Sequence, residues 1–189
     1  MSRSLPKRVV PRESSVDAVA LATPVGLLDL ELGAGGIQKL SFREREWDGR
    51  SEVARAASEP VADSALLAAV VRELGAYFRG DFGALDRIPV AAAGTPFQQR
   101  VWSVLRTVPA GATVSYLELA QRSGSPKAVR AVAACNARNP VAIVVPCHRV
   151  IGSDGSLTGY GGGLPRKRWL LDHEGPGRSL LTSPSVLFV

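Results

Sequence analysis

Apolar and polar positions alternate along two early stretches of the chain, Leu27 to Leu32 and Ile37 to Phe42, and Gly33-Ala34-Gly35-Gly36 separates them. Alternation with period two around a glycine-rich break predicts a β-hairpin, entered through Thr23-Pro24-Val25-Gly26. Between Ser64 and Phe78 the spacing changes, with Leu66, Leu67, Val70, Val71, Leu74 and Phe78 three and four apart, and Gly80 ends the pattern. That is the mark of an amphipathic helix. Asp86 to Ala93 reads as a short extended connection, and a domain boundary is placed near it.

The second half reads as helical at its beginning. Thr95-Pro96 starts a helix whose face is Phe97, Val101, Val104 and Leu105, and Val108-Pro109-Ala110-Gly111 stops it. Ser115-Tyr116-Leu117-Glu118 fits a capping box, in which a hydroxyl and a carboxylate satisfy amides at a helix start, and Gly124 ends this second helix. Ser125-Pro126 predicts the start of a third, with Ala128, Ala131, Val132 and Cys135 as its buried stripe and Asn139-Pro140 as its end. Two short helices joined by a tight turn form the pattern of a helix-turn-helix, although ordinary helical domains share it. Lys127 and Arg130 fall on the exposed face among alanines, which suits contact with phosphate or bases; the plainer reading is a solvated basic face. Val141 to Val145 is a continuous apolar, β-branched run, read as a buried strand that delivers Pro146-Cys147-His148-Arg149-Val150.

Composition narrows the class. The chain has 189 residues, 46% of them hydrophobic and 21% charged, as in a globular protein able to bury a core. No apolar run approaches the roughly 18 residues of a membrane span, and Met1 to Ser15, with Arg3, Lys7, Arg8 and Arg12, lacks the apolar stretch of a secretory signal. A cytoplasmic location and two free thiols, Cys135 and Cys147, are therefore expected. Residues 1–90 hold 12 Lys and Arg against 13 Asp and Glu, whereas residues 91–189 hold 11 against 4. The net charge of +6 thus lies in the second half, the footprint of a nucleic acid or another polyanion, or else a basic surface without a partner.

Cys147 is the candidate nucleophile, because a thiol beside an imidazole and a guanidinium is a place where thiolate is favoured. The alternative is a small buried apolar residue, which suits Cys135 on its helical stripe. Neighbouring residues on an extended chain point to opposite sides, so His148 reaches Cys147 more easily through a water than directly. A histidine acting as a base needs its second nitrogen oriented. Of Glu118, Asp154, Asp172 and Glu174, the first is explained by the capping box and Glu174 is the better third member. Two Cys and two His show no metal-ligand spacing, so no metal is assigned. Gly159-Tyr160-Gly161-Gly162-Gly163 is neither a phosphate loop nor a dinucleotide fingerprint, and by itself reads as a flexible turn.

Taken together, Pro146-Cys147-His148-Arg149-Val150, Asn139-Pro140, Gly159-Tyr160 and His173-Glu174-Gly175 resemble the O6-alkylguanine-DNA alkyltransferases, also called methylated-DNA–protein-cysteine methyltransferases. The resemblance runs through Gly94-Thr95-Pro96-Phe97-Gln98, Val101-Trp102, Ser115-Tyr116 and Arg130-Ala131-Val132, over roughly residues 20–176, and is nearest to the constitutive bacterial members. It implies an α/β fold: a small, ribonuclease-H-like N-terminal domain over 1–92, with 1–18 a flexible tail, then a mainly helical domain with a helix-turn-helix over 93–189. It implies that Cys147 takes the alkyl group irreversibly, that His148 is its base through a water, that Glu174 orients His148, that Asn139 is a hinge and that Tyr116 assists nucleotide rotation and hydrogen-bonds the leaving base. Ser115, Tyr116, Lys127, Arg130 and Ala131 would meet the minor groove of double-stranded DNA, with Arg130 entering the vacated stack. Asn136, Val150, Leu157, Tyr160 and Gly161 would line the base pocket.

The resemblance implies a monomer, with cooperative binding along DNA left open, acting on DNA that carries O6-alkylguanine, with no cofactor and no membrane. Departures are the lack of Cys and His in residues 1–134, which removes the zinc site of some members, Gly161 in place of Ser, and Ala110 where an aromatic is usual. Residues 176–189 fall outside the resemblance. Competing readings are a lesion-binding module without transfer, which would lack the acceptor cysteine, a cysteine hydrolase on Cys147, His148 and Glu174, and a helix-turn-helix regulator.

Overall fold

Alternating side chains in the first described stretch build an antiparallel sheet in the order β1 (Asp17–Thr23), β2 (Gly26–Gly33), β3 (Gly36–Phe42). The computed structural model describes residues 17–44, 47, 49 and 65–175. Leu28, Leu30, Ile37 and Leu40 are fully buried on the sheet's inner face, each worth about 1.5–3 kcal/mol of hydrophobic burial. The hairpin is as predicted, but the sequence reading missed β1 and placed its first two residues in a tail. The strand Asp-Ala-Val-Ala-Leu-Ala-Thr alternates against alanine, which gives little polar contrast. The remainder of the tail at 1–16, and the tail at 176–189, lie outside the described residues.

The predicted helix becomes α1 (Ala65–Phe78), burying Val70, Leu74, Tyr77 and Phe78, and Gly80 ends it with φ +99°. The extended connection at 88–92 is stitched to β3: Ile37 N donates to the Pro89 carbonyl and Ala91 N to that of Ile37. Gly36, at φ +135°, allows this approach, since a Cβ there would collide with the Pro89 carbonyl.

Beyond it come α2 (Pro96–Arg106), β4 (Val114–Ser115), α3 (Tyr116–Arg122), α4 (Val129–Ala137), β5 (Val150–Ile151) and α5 (Leu164–Glu174), with β4 and β5 paired in parallel. The Ser115–Glu118 capping box forms as predicted, and a second, Thr95 with Gln98, opens α2. Two expectations fail. Ser125-Pro126 does not open the third helix: Ala128 N closes a turn on the Ser125 carbonyl and α4 begins at Val129, so Lys127 precedes the helix and Ala131 is exposed rather than part of the buried stripe. Val141–Val145 is not a strand. It is a buried turn with Ile143 at φ +71°, bridged to the sheet only where Val141 pairs with Leu40. A continuous apolar run reports burial, and both a strand and a buried turn satisfy it.

The described architecture is thus a mixed α/β fold with a small antiparallel sheet. Among the described residues no helix is long and apolar enough to cross a membrane, and no group of three or more Cys, His, Asp or Glu is placed to hold a metal.

Candidate active site

Asn139 follows α4 and organises the buried turn. Its Oδ1 accepts from Val141 N at 3.0 Å, while its Nδ2 donates to the Val145 carbonyl at 2.7 Å and to Cys147 Sγ at 3.1 Å. One side chain therefore closes the turn and presents a donor to the sulfur. Cys147–Arg149 then forms a 3-10 turn, the tight turn that an extended reading of this segment lacked.

His148 is fully buried and its Nε2 lies 2.9 Å from Glu174 Oε1. A carboxylate only accepts, so Nε2 carries the proton and Nδ1, which has no hydrogen-bond partner among the described residues, keeps its lone pair. The predicted pairing of His148 with Glu174 is present in the geometry. Arg149 behaves differently from expectation: instead of favouring a thiolate, its Nε and Nη2 grip both oxygens of Glu174 at 2.8 Å, and Nη1 donates to the Val108 carbonyl. Tyr77, from α1, donates to Glu174 Oε1 at 2.7 Å. Four donated bonds on one carboxylate satisfy a charge that burial makes expensive.

Burial pushes the Cys147 thiol up, against the smaller downward pull of Asn139 and Lys167, and pushes His148 down despite Glu174. Burial also pushes Glu174 up, but the hydrogen bonds and charges of His148 and Arg149 hold it far below the ordinary carboxylate range. Both shifts favour the uncharged form, of the thiol and of the imidazole alike. Burial thus works against the thiolate that the neighbouring imidazole and guanidinium were expected to favour.

Cys147 opens on a pocket of about 420 Å³ with Tyr116, Asn136, Asn139 and Tyr160 in its walls. Gly161 lines it too, and no atom lies within 4 Å of where its side chain would start. The Tyr116 hydroxyl accepts from Thr158 Oγ1 at 3.3 Å, leaving its own hydrogen to donate. Val150 and Leu157 do not line this pocket: the Val150 carbonyl accepts from Lys167 Nζ at 2.6 Å, and Leu157 borders a separate hollow beside Arg168. Lys167 also donates to the Thr158 carbonyl, tying β5 to the glycine loop. Leu40, Ser41 and Phe42 of β3 complete the wall, and a Cβ on Gly162 would strike the Phe42 ring. Ser115 spends its hydroxyl's acceptor role on the capping box, while Lys127, Arg130 and Ala131 stand exposed.

Residues 96–176 match the family model of the 6-O-methylguanine DNA methyltransferase DNA-binding domain. A methylated-DNA–protein-cysteine methyltransferase of Mycobacterium tuberculosis is 52% identical over 112 residues, 59% of this chain and 67% of that protein. The crystal structure of the O6-methylguanine methyltransferase from the same organism superposes with a TM-score of 0.67 at 41% identity, covering 85% of this chain and 93% of the other. The chain belongs to the O6-methylguanine DNA methyltransferase family. A Shigella flexneri methylated-DNA–protein-cysteine methyltransferase is 54% identical over 103 residues, so the match spans 54% of this chain and 60% of that relative's length. The M. tuberculosis OGT has also been solved in complex with DNA, and that chain aligns with a TM-score of 0.65 at 42% identity over 82% of this chain and 90% of its own.

Within this methyltransferase family member the domain match encloses every site residue read from the second half, from Ser115 to Glu174. What the sequence reading missed is mostly outside it: Tyr77 and the β3 segment Leu40–Phe42 have no local motif and reach the site only through folding. Arg149 and Lys167 lay inside, and the signal for Arg149 was Glu174 itself, one of only four acids in that half.

Proposed function

We propose that this protein repairs DNA directly, as a methylated-DNA–[protein]-cysteine S-methyltransferase that transfers an alkyl group from O6-alkylguanine to Cys147 once per molecule. The observation that carries the reading is the Cys147 sulfur on the pocket, with Asn139 donating to it and the neighbouring His148 held by Glu174. The sulfur attacks the alkyl carbon in line, the carbon–O6 bond breaks, and its electron pair goes to guanine. The thiol proton passes through a water to His148 Nδ1, which returns it to solvent, and the leaving guanine takes one proton from water while Tyr116 hydrogen-bonds the charge that develops on it. Cys147 ends as a thioether and the base as guanine, so atoms balance without a co-reactant.

Neutral resting groups fit this chemistry, because a buried standing charge costs more than one that appears only as the bond breaks. The thioether offers no good leaving group, which makes the step single-turnover.

The target carbon lies inside the duplex, so the nucleotide must rotate out at a cost of a few kcal/mol. In this reading α3 and α4 form a helix-turn-helix that enters the minor groove, Arg130 fills the vacated stack, and Ser115, Lys127 and Ala131 meet the backbone. The exposed, small-residue surface of α4 supports it. The described residues up to 92 belong to the ribonuclease-H-like unit and those from 93 to 175 to the DNA-binding and acceptor unit.

The test is Cys147→Ala with a duplex labelled in the O6-methyl group. Label transfer falls to background while duplex affinity, measured by fluorescence anisotropy, stays within about twofold, since no cation is lost. Retained transfer, with label on Cys135, contradicts the assignment.

A further inference from the structure

We propose that Tyr77, supplied by the first half of the chain, is a positioning residue for the Cys147 site: its hydroxyl shares Glu174 Oε1 with His148 and so limits how strongly the imidazole holds a second proton. The inference rests on the alkyl-transfer reading and deepens it, since it assigns a control of the site to a part of the chain outside the matched DNA-binding domain.

Glu174 Oε1 takes three donors, Tyr77 Oη at 2.7 Å, Arg149 Nη2 at 2.8 Å and His148 Nε2 at 2.9 Å, while Oε2 accepts from Arg149 Nε at 2.8 Å. Donors on one oxygen compete for its electron density. Each bond from Tyr77 or Arg149 leaves less negative charge to stabilise an imidazolium. The phenol is a committed donor. It is fully buried, and burial together with the neighbouring carboxylate pushes its ionisation well above the ordinary value.

Its ring is fixed independently of the hydroxyl, edge-on to Phe78, Phe82 and His173, and its carbonyl lies 3.1 Å from His173 Nε2. Removing the oxygen therefore leaves the packing. The groups facing His148 are Cys147 and Arg149 on its own turn, Glu174 and Lys167 from α5, Tyr77 from α1 and Tyr160 from the glycine loop, whose ring centroid is 6.4 Å away. Of these, Tyr77 is the neutral donor on the oxygen that His148 uses.

A weakly basic His148 serves transfer by remaining unprotonated, with its Nδ1 lone pair ready for the thiol proton. Without the Tyr77 hydroxyl, Oε1 stabilises the imidazolium more, and the histidine protonates at higher pH.

The experiment is ring-labelled histidine NMR on the full chain, which has only two histidines, run beside single-turnover methyl transfer across pH. In Tyr77→Phe the His148 midpoint moves up by about half a unit to one unit, and the acid limb of transfer moves with it. A midpoint equal to or below that of the unsubstituted chain overturns the assignment. Should Tyr77→Phe not fold, the otherwise intact sequence carrying 3-fluorotyrosine at position 77 alone tests the same bond. The more acidic phenol donates more strongly and lowers the His148 midpoint, and an unmoved midpoint overturns the assignment. Tyr116 and Tyr160, whose ring lies edge-on to His148, stay unfluorinated, so the shift reports the Tyr77 hydroxyl. If the His148 midpoint moves as expected while the unsubstituted chain transfers no methyl group at any pH, the alkyl-transfer reading fails and the role of Tyr77 stands.

Discussion

The Cys147 turn and the exposed face of α3 and α4 are neighbours in the same half of the chain and are built in opposite ways. Around Cys147 the polar groups are almost wholly enclosed: His148, Arg149 and Glu174 are 0%, 5% and 4% exposed, and they are hydrogen-bonded to one another. On that side Lys127, in the turn before α4, and Arg130 and Ala131, on α4, are exposed, and neither cation takes part in an ion pair among the described residues. The enclosed turn spends folding energy to hold one geometry. The exposed face leaves its cations available for a partner, so its contribution depends on salt and on what is bound.

Breaking the enclosed side has the largest expected effect. Glu174→Ala leaves the Arg149 guanidinium buried without its carboxylate, and urea unfolding is expected to show a loss of about 3–5 kcal/mol. A loss under 1 kcal/mol would mean that the network is not enclosed as described.

Arg130→Ala probes the exposed side and sharpens the contrast. Transfer from duplex O6-methylguanine falls about ten- to a hundredfold, in line with the few kcal/mol needed to rotate a nucleotide out, whereas reaction with free O6-benzylguanine stays within about twofold. Equal losses on both substrates remove the stacking role. Stability is unchanged within about 0.5 kcal/mol, as for other exposed substitutions.

The smallest effect separates the two sides by pH. His148 has its folded value lowered from 6.5, so the unfolded chain takes up its proton first and stability declines as pH falls below 6.5. Glu174 has its folded value lowered from 4.5, so its contribution is complete above 4.5 and is lost as pH falls towards the folded value. Urea midpoints are expected to drop steadily from pH 7 to pH 4, and Arg130→Ala leaves that slope unchanged. A flat profile contradicts the burial of the pair.

Legibility in the sequence followed locality. The Ser115–Glu118 box and the α1 stripe were readable because cause and consequence lie within four residues of each other. The pairing of His148 with Glu174 was readable because few acids compete for it. Val141–Val145 was not, since hydrophobicity fixes its burial while Asn139 and the left-handed Ile143 fix its shape. Tyr77 was invisible for a different reason: it stands 97 positions from Glu174, and nothing near it in the chain marks a buried hydroxyl as a partner. The site is therefore only half described by its own motif, and β3 and α1 supply the rest.

Intact-protein and peptide mass spectrometry after mixing with an equimolar O6-methylguanine duplex tests the central claim most directly. One added methyl group per chain is expected, located on Cys147 and saturating at one equivalent of duplex. No mass change, with binding to the lesion confirmed in the same sample, would contradict it and leave a protein that recognises alkylated DNA without repairing it.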